Sequence, residues 1–264
     1  MTRIEKCFQV LGEQNQKALV AFITAGDPDL KTTQRLILVI EKNGADIIEI
    51  GVPFTDPLAD GPVILQSALR SLKKGTSLAK ILQMVRGVRT ESQIPIVLMS
   101  SYNPIFVYGD QKFVDDSVEA GVDGVIVPDL PPEEGTVLSD YAKEKGLDVI
   151  YLLAPTSTKK RIDIITGQSS GFIYYISLTG ITGMRSALAD DLVQKIKSIR
   201  QSVALPLLIG FGISGPEQAA EAAKISDGVI VGSAIIKLIE SNTESVARES
   251  AVGSFISSLK QAIT

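Results

Sequence analysis

The sequence predicts an α/β fold, a single (β/α)8 TIM barrel over residues 1–264 with an extra short N-terminal helix. Short apolar stretches alternate with helix-spaced segments eight times along the chain, the pattern of a parallel sheet covered by helices. No linker, low-complexity stretch or charge block divides it. With 45% hydrophobic and 21% charged residues, the chain can bury a full core as one domain. An open doubly wound sheet is the alternative, because periodicity does not show whether a sheet closes.

The elements follow in order. Ile4 to Leu11 reads as the leading helix, and Ala18 to Ile23 as the first strand, ended by Thr24-Ala25-Gly26-Asp27-Pro28. Leu30 to Asn43 has helical spacing at Leu36, Val39 and Ile40, with Gly44 as its stop. Asp46 to Ile50 is the second strand, and Val63 to Leu72 and Leu78 to Val88 are helices. Pro95 to Met99 is the third strand, with Ser101-Tyr102-Asn103-Pro104 as its loop. Phe113 to Ala120 is a helix, Gly124 to Val127 a strand, and Glu133 to Lys145 a helix. Val149 to Leu153 makes the fifth strand, Arg161 to Thr166 a short helix and Phe172 to Ile176 the sixth strand. Leu207 to Ile209 and Gly228 to Val231 complete the strands, with helices at Asp191 to Ile199 and Glu217 to Ala223 and a terminal helix opening at Ser233.

Composition excludes several chemistries. The chain has no His, so a His base, a Ser-His-Asp triad and His metal ligation are ruled out. Cys7 stands alone, which excludes an internal disulfide framework and fits a reducing cytoplasm. A net charge of −4 offers no footprint for nucleic acid or an anionic membrane. The apolar runs are too short to span a bilayer, and no apolar segment of signal-peptide type opens the chain. A soluble intracellular protein is expected, with acid–base work left to carboxylates, Tyr or Lys.

The second strand carries the clearest chemical signal. Residues alternate faces along a strand, so Ile48 and Ile50 point one way and Ile47, Glu49 and Gly51 the other. An unpaired carboxylate on a strand buried on both faces is costly. Glu49 sits at the strand's C-terminal end, where such folds place their chemistry. A structural Glu bonded within the core is the plainer alternative. In a barrel, the segments after each strand converge and gather Glu49, Asp60, Tyr102, Asp129, Thr182, Gly212 and Ser233 around one mouth.

Three glycine-bearing loops follow the last three strands: Leu178 to Gly183, Gly210 to Gly215, and Gly232-Ser233 opening a helix. Barrels bind phosphate with such loops and a helix N-terminus. A plain N-cap at Ser233 and tight turns at Gly210 and Gly212 are the alternatives. Gly210-Phe211-Gly212-Ile213-Ser214-Gly215 is not a dinucleotide fingerprint.

Phe22-Ile23-Thr24-Ala25-Gly26-Asp27-Pro28, Ile48 to Pro62, Tyr102-Asn103-Pro104, Pro128-Asp129-Leu130-Pro131, Gly180-Ile181-Thr182-Gly183 and Gly210-Phe211-Gly212-Ile213-Ser214 together resemble the tryptophan synthase alpha-subunit family across nearly the whole chain. The resemblance implies a lyase that cleaves indole-3-glycerol phosphate to indole and glyceraldehyde 3-phosphate, with no cofactor or metal in this subunit. It implies Glu49 as the acid–base catalyst and Asp60 as the partner of the indole N–H. Phe22, Tyr102, Tyr175 and Phe211 resemble residues around the indole and catalytic pocket, Thr182 the residue that meets Asp60 when the loops close, and Gly183, Gly212, Gly232 and Ser233 the phosphate site. The implied partner is a pyridoxal-phosphate beta subunit in an α2β2 complex; the apolar residues in the loops Phe54 to Leu58 and Asn103 to Phe106 read as its docking surface, with packing of Phe54, Leu58 and Phe106 over their own barrel as the alternative. Val20-Ala21 before Phe22 and Ser100-Ser101 before Tyr102 depart locally from the family pattern. Rival readings are another phosphate-binding barrel, such as indole-glycerol-phosphate synthase, or a silent barrel that only binds a partner. The first lacks its expected strand-end Lys, and retention of both carboxylates argues against the second.

Overall fold

The computed structural model describes residues 1–57, 60–176, 193–200, 203–210 and 212–264. Its strands are β1 (Ala18–Thr24), β2 (Ile47–Gly51), β3 (Ile96–Met99), β4 (Gly124–Ile126), β5 (Asp148–Ile150), β6 (Leu152–Leu153), β7 (Ile173–Ile176), β8 (Leu207–Gly210) and β9 (Gly228–Val231). All pair in parallel, in the order β5-β4-β3-β2-β1-β9-β8-β7-β6. The two ends of that order, β5 and β6, are pieces of the expected fifth strand, interrupted at Tyr151. The sheet therefore curls into a nearly closed barrel with its seam inside one strand, and the open doubly wound alternative falls away.

The helices are α1 (Arg3–Glu13), α2 (Leu30–Lys42), α3 (Pro62–Lys73), α4 (Leu78–Val88), α5 (Tyr102–Tyr108), α6 (Asp110–Ala120), α7 (Thr136–Lys145), α8 (Lys159–Gln168), α9 (residues 193–200), α10 (Pro216–Ala223), α11 (Ser233–Ser241) and α12 (Ser245–Ile263). Two expectations need correction. The segment after β3 is helix α5, not a loop: Pro104 lies in its first turn, where a missing N–H breaks no intrahelical bond. The C-terminus holds two helices, α11 and α12, where one was expected.

Side-chain alternation divides the core in two. Val20, Ile47, Val97, Ile126, Ile150, Tyr174, Leu208 and Ile230 fill the barrel interior, whereas Leu19, Ile48, Ile50, Leu98, Tyr175, Ile209 and Val229 pack outward among the helices. Helix α1 closes the N-terminal end. Its Thr2–Glu5 capping box fixes its start, and Ile4 and Leu11 enter the interior cluster while Phe8 meets Phe172 with ring centroids 6.0 Å apart.

Carboxylates staple that same end. Asp46 N donates to Leu19 O and Leu19 N returns a bond to the Asp46 carboxylate at 2.7 Å. Asp123 does the same with Ile96, and Asp227 with Leu207. These N–H groups lie in the first or second residue of their strands and would otherwise be buried without a partner. Each carboxylate also holds a cation: Lys260 on Asp46, Arg3 and Arg89 on Asp123, Arg200 on Asp227. The N-terminal end is thus an ion-paired frame, leaving the opposite end to chemistry. Cys7 belongs to this frame, its thiol pushed up to about 12 by burial, with Asp46 adding to the effect, which makes it a poor nucleophile.

Candidate active site

At the C-terminal mouth, the interior face of the strands changes from aliphatic to chemical. Glu49 follows Ile47 on the inward face of β2 and is 1% exposed. Its Oε2 is buried and, among the described residues, has no hydrogen-bond partner. Burial first, and then the nearby Asp60 carboxylate, raises its pKa to about 8. Asp60 stands just before Gly61, the N-cap of α3, and burial raises it to about 6. At neutral pH the pair therefore divides its roles: Glu49 holds a proton and Asp60 is an anion. Such a split marks acid and base assignments.

Both carboxylates line one cavity of about 630 Å³, together with Phe22, Ile64, Met99, Tyr174 and Ile230 and with Gly212, Ser214, Gly232, Ser233 and Ala234. The first group is apolar and suits a flat ring. The second offers backbone. Helix α11 starts at Ser233 with no side-chain cap bond, so its first-turn N–H groups remain to bind an anion. Gly212 sits at φ 76°, the left-handed region that favours glycine.

Glycine also makes room for the aromatic rings. A Cβ on Gly51 would lie 2.6 Å from Phe22 Cζ, and one on Gly210 would lie 2.5 Å from Tyr174 Oη. Gly210, expected at a phosphate turn, in fact ends β8 and clears space for Tyr174. Gly210→Ala is expected to displace that ring and lower kcat/KM about tenfold, with a loss of stability of roughly 1–3 kcal/mol from overpacking. Steady-state kinetics and thermal unfolding check this; unchanged kinetics would mean the ring does not matter.

Of the residues expected at the site, the structure brings together Phe22, Glu49, Asp60, Gly212, Gly232 and Ser233. Tyr175 is a correction: it is fully buried in the outer layer, and its neighbour Tyr174 faces the cavity. The hydroxyl of Tyr174 is driven well above its usual pKa by burial, with Glu49 and Asp60 adding to the effect, so it stays protonated. Tyr102 is held apart in α5: its N–H donates to Asp129 and its hydroxyl to Asp110, and it is absent from the cavity lining. Thr182, Gly183 and Phe211 lie outside the described residues. Met99, Ile64 and Lys237, which sequence reasoning passed over, line the cavity as well.

The family model for the tryptophan synthase alpha chain matches residues 8–264. The chain belongs to the tryptophan synthase alpha-chain family. It is 53% identical over 263 residues to the tryptophan synthase alpha chain of Geotalea uraniireducens, covering 100% of this chain and 98% of that one. The Geobacter sulfurreducens alpha chain is 51% identical over 264 residues, covering 100% and 99%. The crystal structure of tryptophan synthase subunit alpha from Legionella pneumophila superposes with a TM-score of 0.91 at 38% identity, over 100% of this chain and 98% of that chain. A chain of the tryptophan synthase complex from Pyrococcus furiosus gives 0.83 at 32% identity, over 92% and 98%. As a member of that family the protein is a lyase of tryptophan biosynthesis. Among its described residues no helix is long and apolar enough to cross a membrane.

Proposed function

We propose that the barrel mouth cleaves the carbon–carbon bond of indole-3-glycerol phosphate without a cofactor, Glu49 moving the protons and Asp60 holding the indole nitrogen. Cleavage of that substrate to indole and glyceraldehyde 3-phosphate, paired with a beta subunit, is the activity of the family to which the chain belongs. The observation that supports this assignment of roles is the carboxyl pair lining one cavity, with burial holding the pKa of Glu49 above that of Asp60.

The reaction begins as protonated Glu49 gives its proton to indole C3. The ring becomes an indolenine whose positive charge lies on nitrogen, and the Asp60 carboxylate accepts the N–H hydrogen bond and stabilises that charge. Glu49, now a carboxylate, takes the proton from the hydroxyl on the adjoining side-chain carbon. That oxygen becomes the carbonyl of glyceraldehyde 3-phosphate, the C–C electrons return to the ring, and indole and a protonated Glu49 result. Phe22, Met99 and Ile230 enclose the ring, Tyr174 offers a neutral hydroxyl beside the carboxyl pair, and Gly212, Gly232 and Ser233 receive the phosphate.

We read the beta-subunit contact at the same mouth. Phe106 is 65% and Val107 77% exposed on α5, and Thr55 and Asp56 are exposed in the loop after β2. Apolar side chains kept in water beside an opening suit a docking surface. An α2β2 assembly and a cytoplasmic location complete this reading. Release of indole from indole-3-glycerol phosphate, measured with and without an added beta subunit, tests it: turnover is expected alone and faster with the partner. A properly folded chain that releases no indole under either condition would refute the reading.

Gly232→Asp is expected to raise KM at least about tenfold, because a side chain and a negative charge would enter the approach to the phosphate. A Cβ there would already lie 3.1 Å from Phe22 Cδ1. An unchanged KM in a folded variant would remove Gly232 from the phosphate site.

A further inference from the structure

Helix α11 carries one side chain that the reaction described above leaves unused. Ser233, Ala234, Lys237, Leu238 and Ser241 all line the cavity. Their spacing of one, four, five and eight residues from Ser233 places them on a single helical face. Ile235, Ile236 and Ile239, on the other face, are buried. Lys237, exposed at the cavity, thus lies one turn beyond Ser233, and because Cα–Cβ bonds tilt toward a helix N-terminus its long stem can reach back toward the glycine-bearing end.

Charge gives that placement a purpose. Among the described residues that line the cavity, Lys237 is the one cation, and Glu49 and Asp60 are the carboxyls. A phosphate monoester brings roughly 1.5 to 2 further negative charges at neutral pH, whereas a helix N-terminus offers only about half a positive charge. Backbone N–H groups alone leave this cavity strongly anionic once substrate enters. None of the ion pairs among the described residues engages Lys237, while Glu240 on the same helix is paired with Arg70. The ammonium group is therefore not committed elsewhere.

We propose that Lys237 is a phosphate-binding residue of the substrate cavity, reaching back along α11 to neutralise the ester held at Gly212, Gly232 and Ser233. This rests on the phosphate-site reading above. The ammonium touches only the phosphate, far from the bond that breaks. It contributes equally to substrate and transition state, so its loss appears in KM and leaves kcat alone.

The test compares wild type with Lys237→Met, Lys237→Gln and Lys237→Arg. Binding of sn-glycerol 3-phosphate is measured by calorimetry, and indole release from indole-3-glycerol phosphate by steady-state kinetics at fixed ionic strength. Removing the charge is expected to weaken glycerol phosphate binding and raise KM by the same factor, about tenfold for one charge-assisted contact at a solvated mouth. The value of kcat should stay within about twofold, affinity for indole should not change, and Lys237→Arg should recover most of the loss because the charge is retained. Glycerol phosphate affinity and KM both within about twofold of wild type in a folded Met or Gln variant would overturn the proposal and leave Lys237 a solvated helix lysine. The calorimetric arm needs no turnover. A wild-type protein that binds glycerol phosphate but releases no indole would refute the catalytic reading while still deciding the role of Lys237.

Discussion

Glu49→Gln is expected to lose nearly all indole release while still binding indole-3-glycerol phosphate. The amide keeps the shape of the side chain and the apolar strand around it, but has no proton to give to C3 and no carboxylate to take one from oxygen. General acid–base catalysis contributes about 10² to 10⁴ in rate, so a variant that keeps more than roughly a tenth of wild-type turnover would contradict the assignment. The wild-type pH profile should be bell-shaped. With Asp60 raised to about 6 and Glu49 to about 8, kcat/KM climbs as Asp60 ionises and falls as Glu49 loses its proton. Asp60→Asn should be strongly impaired and lose the acidic limb. A profile flat from pH 5 to 9 would show that neither group titrates in the free enzyme's rate.

The same Glu49→Gln variant is expected to be more stable than wild type at alkaline pH. Unfolded, Glu49 ionises near its ordinary 4.5; folded, it holds its proton to about 8. Between those values the unfolded chain has released a proton that the folded chain keeps, so wild-type stability falls as pH rises through the window. The amide of the variant does not titrate in either state. The two proteins should converge near pH 4 and diverge by on the order of 2–4 kcal/mol at pH 8, measured by urea unfolding at several pH values. A stability gap independent of pH would mean that Glu49 ionises as readily in the fold as outside it. The buried Oε2 of Glu49, without a hydrogen-bond partner among the described residues, is in this sense a strain carried at the proposed catalyst.

Glu49 was legible in the sequence because it breaks the pattern of its strand: one charge among Ile47, Ile48 and Ile50 fixes which residues face inward. β7 offers no such mark. Ile173, Tyr174, Tyr175 and Ile176 are apolar or aromatic throughout, so nothing local tells which tyrosine faces inward; the structure settles it for Tyr174 through its place in the interior cluster. Helix α5 was hidden because Pro104 reads as a loop signal and Ser101 caps the helix without a side-chain bond. The break at Tyr151 left no local signal either, since barrel closure is a property of all the strands together. Two of the three carboxylate staples, by contrast, had a signal in Gly44-Ala45-Asp46 and Gly121-Val122-Asp123, a helix-ending glycine, one apolar residue and an aspartate at a strand's start, which Gly146-Leu147-Asp148 repeats and Asp227 lacks. Asp148 is the variant, with its N–H on Asp123 O, its carboxylate taking the Thr2 hydroxyl and Ser170 binding Val149 N.

Helix α1, seated across the N-terminal end with Phe8 on Phe172 and Ile4 and Leu11 in the interior cluster, also governs traffic. On the proposed chemistry, a molecule made at the mouth finds no route along the barrel axis among the described residues, because that axis is filled from Tyr174 down to Ile4. Indole would then leave on the side by which the larger substrate came in, and a protein seated over that side would receive the product before the solvent does. The rate of leaving, as much as the rate of bond breaking, becomes a property of the seated pair.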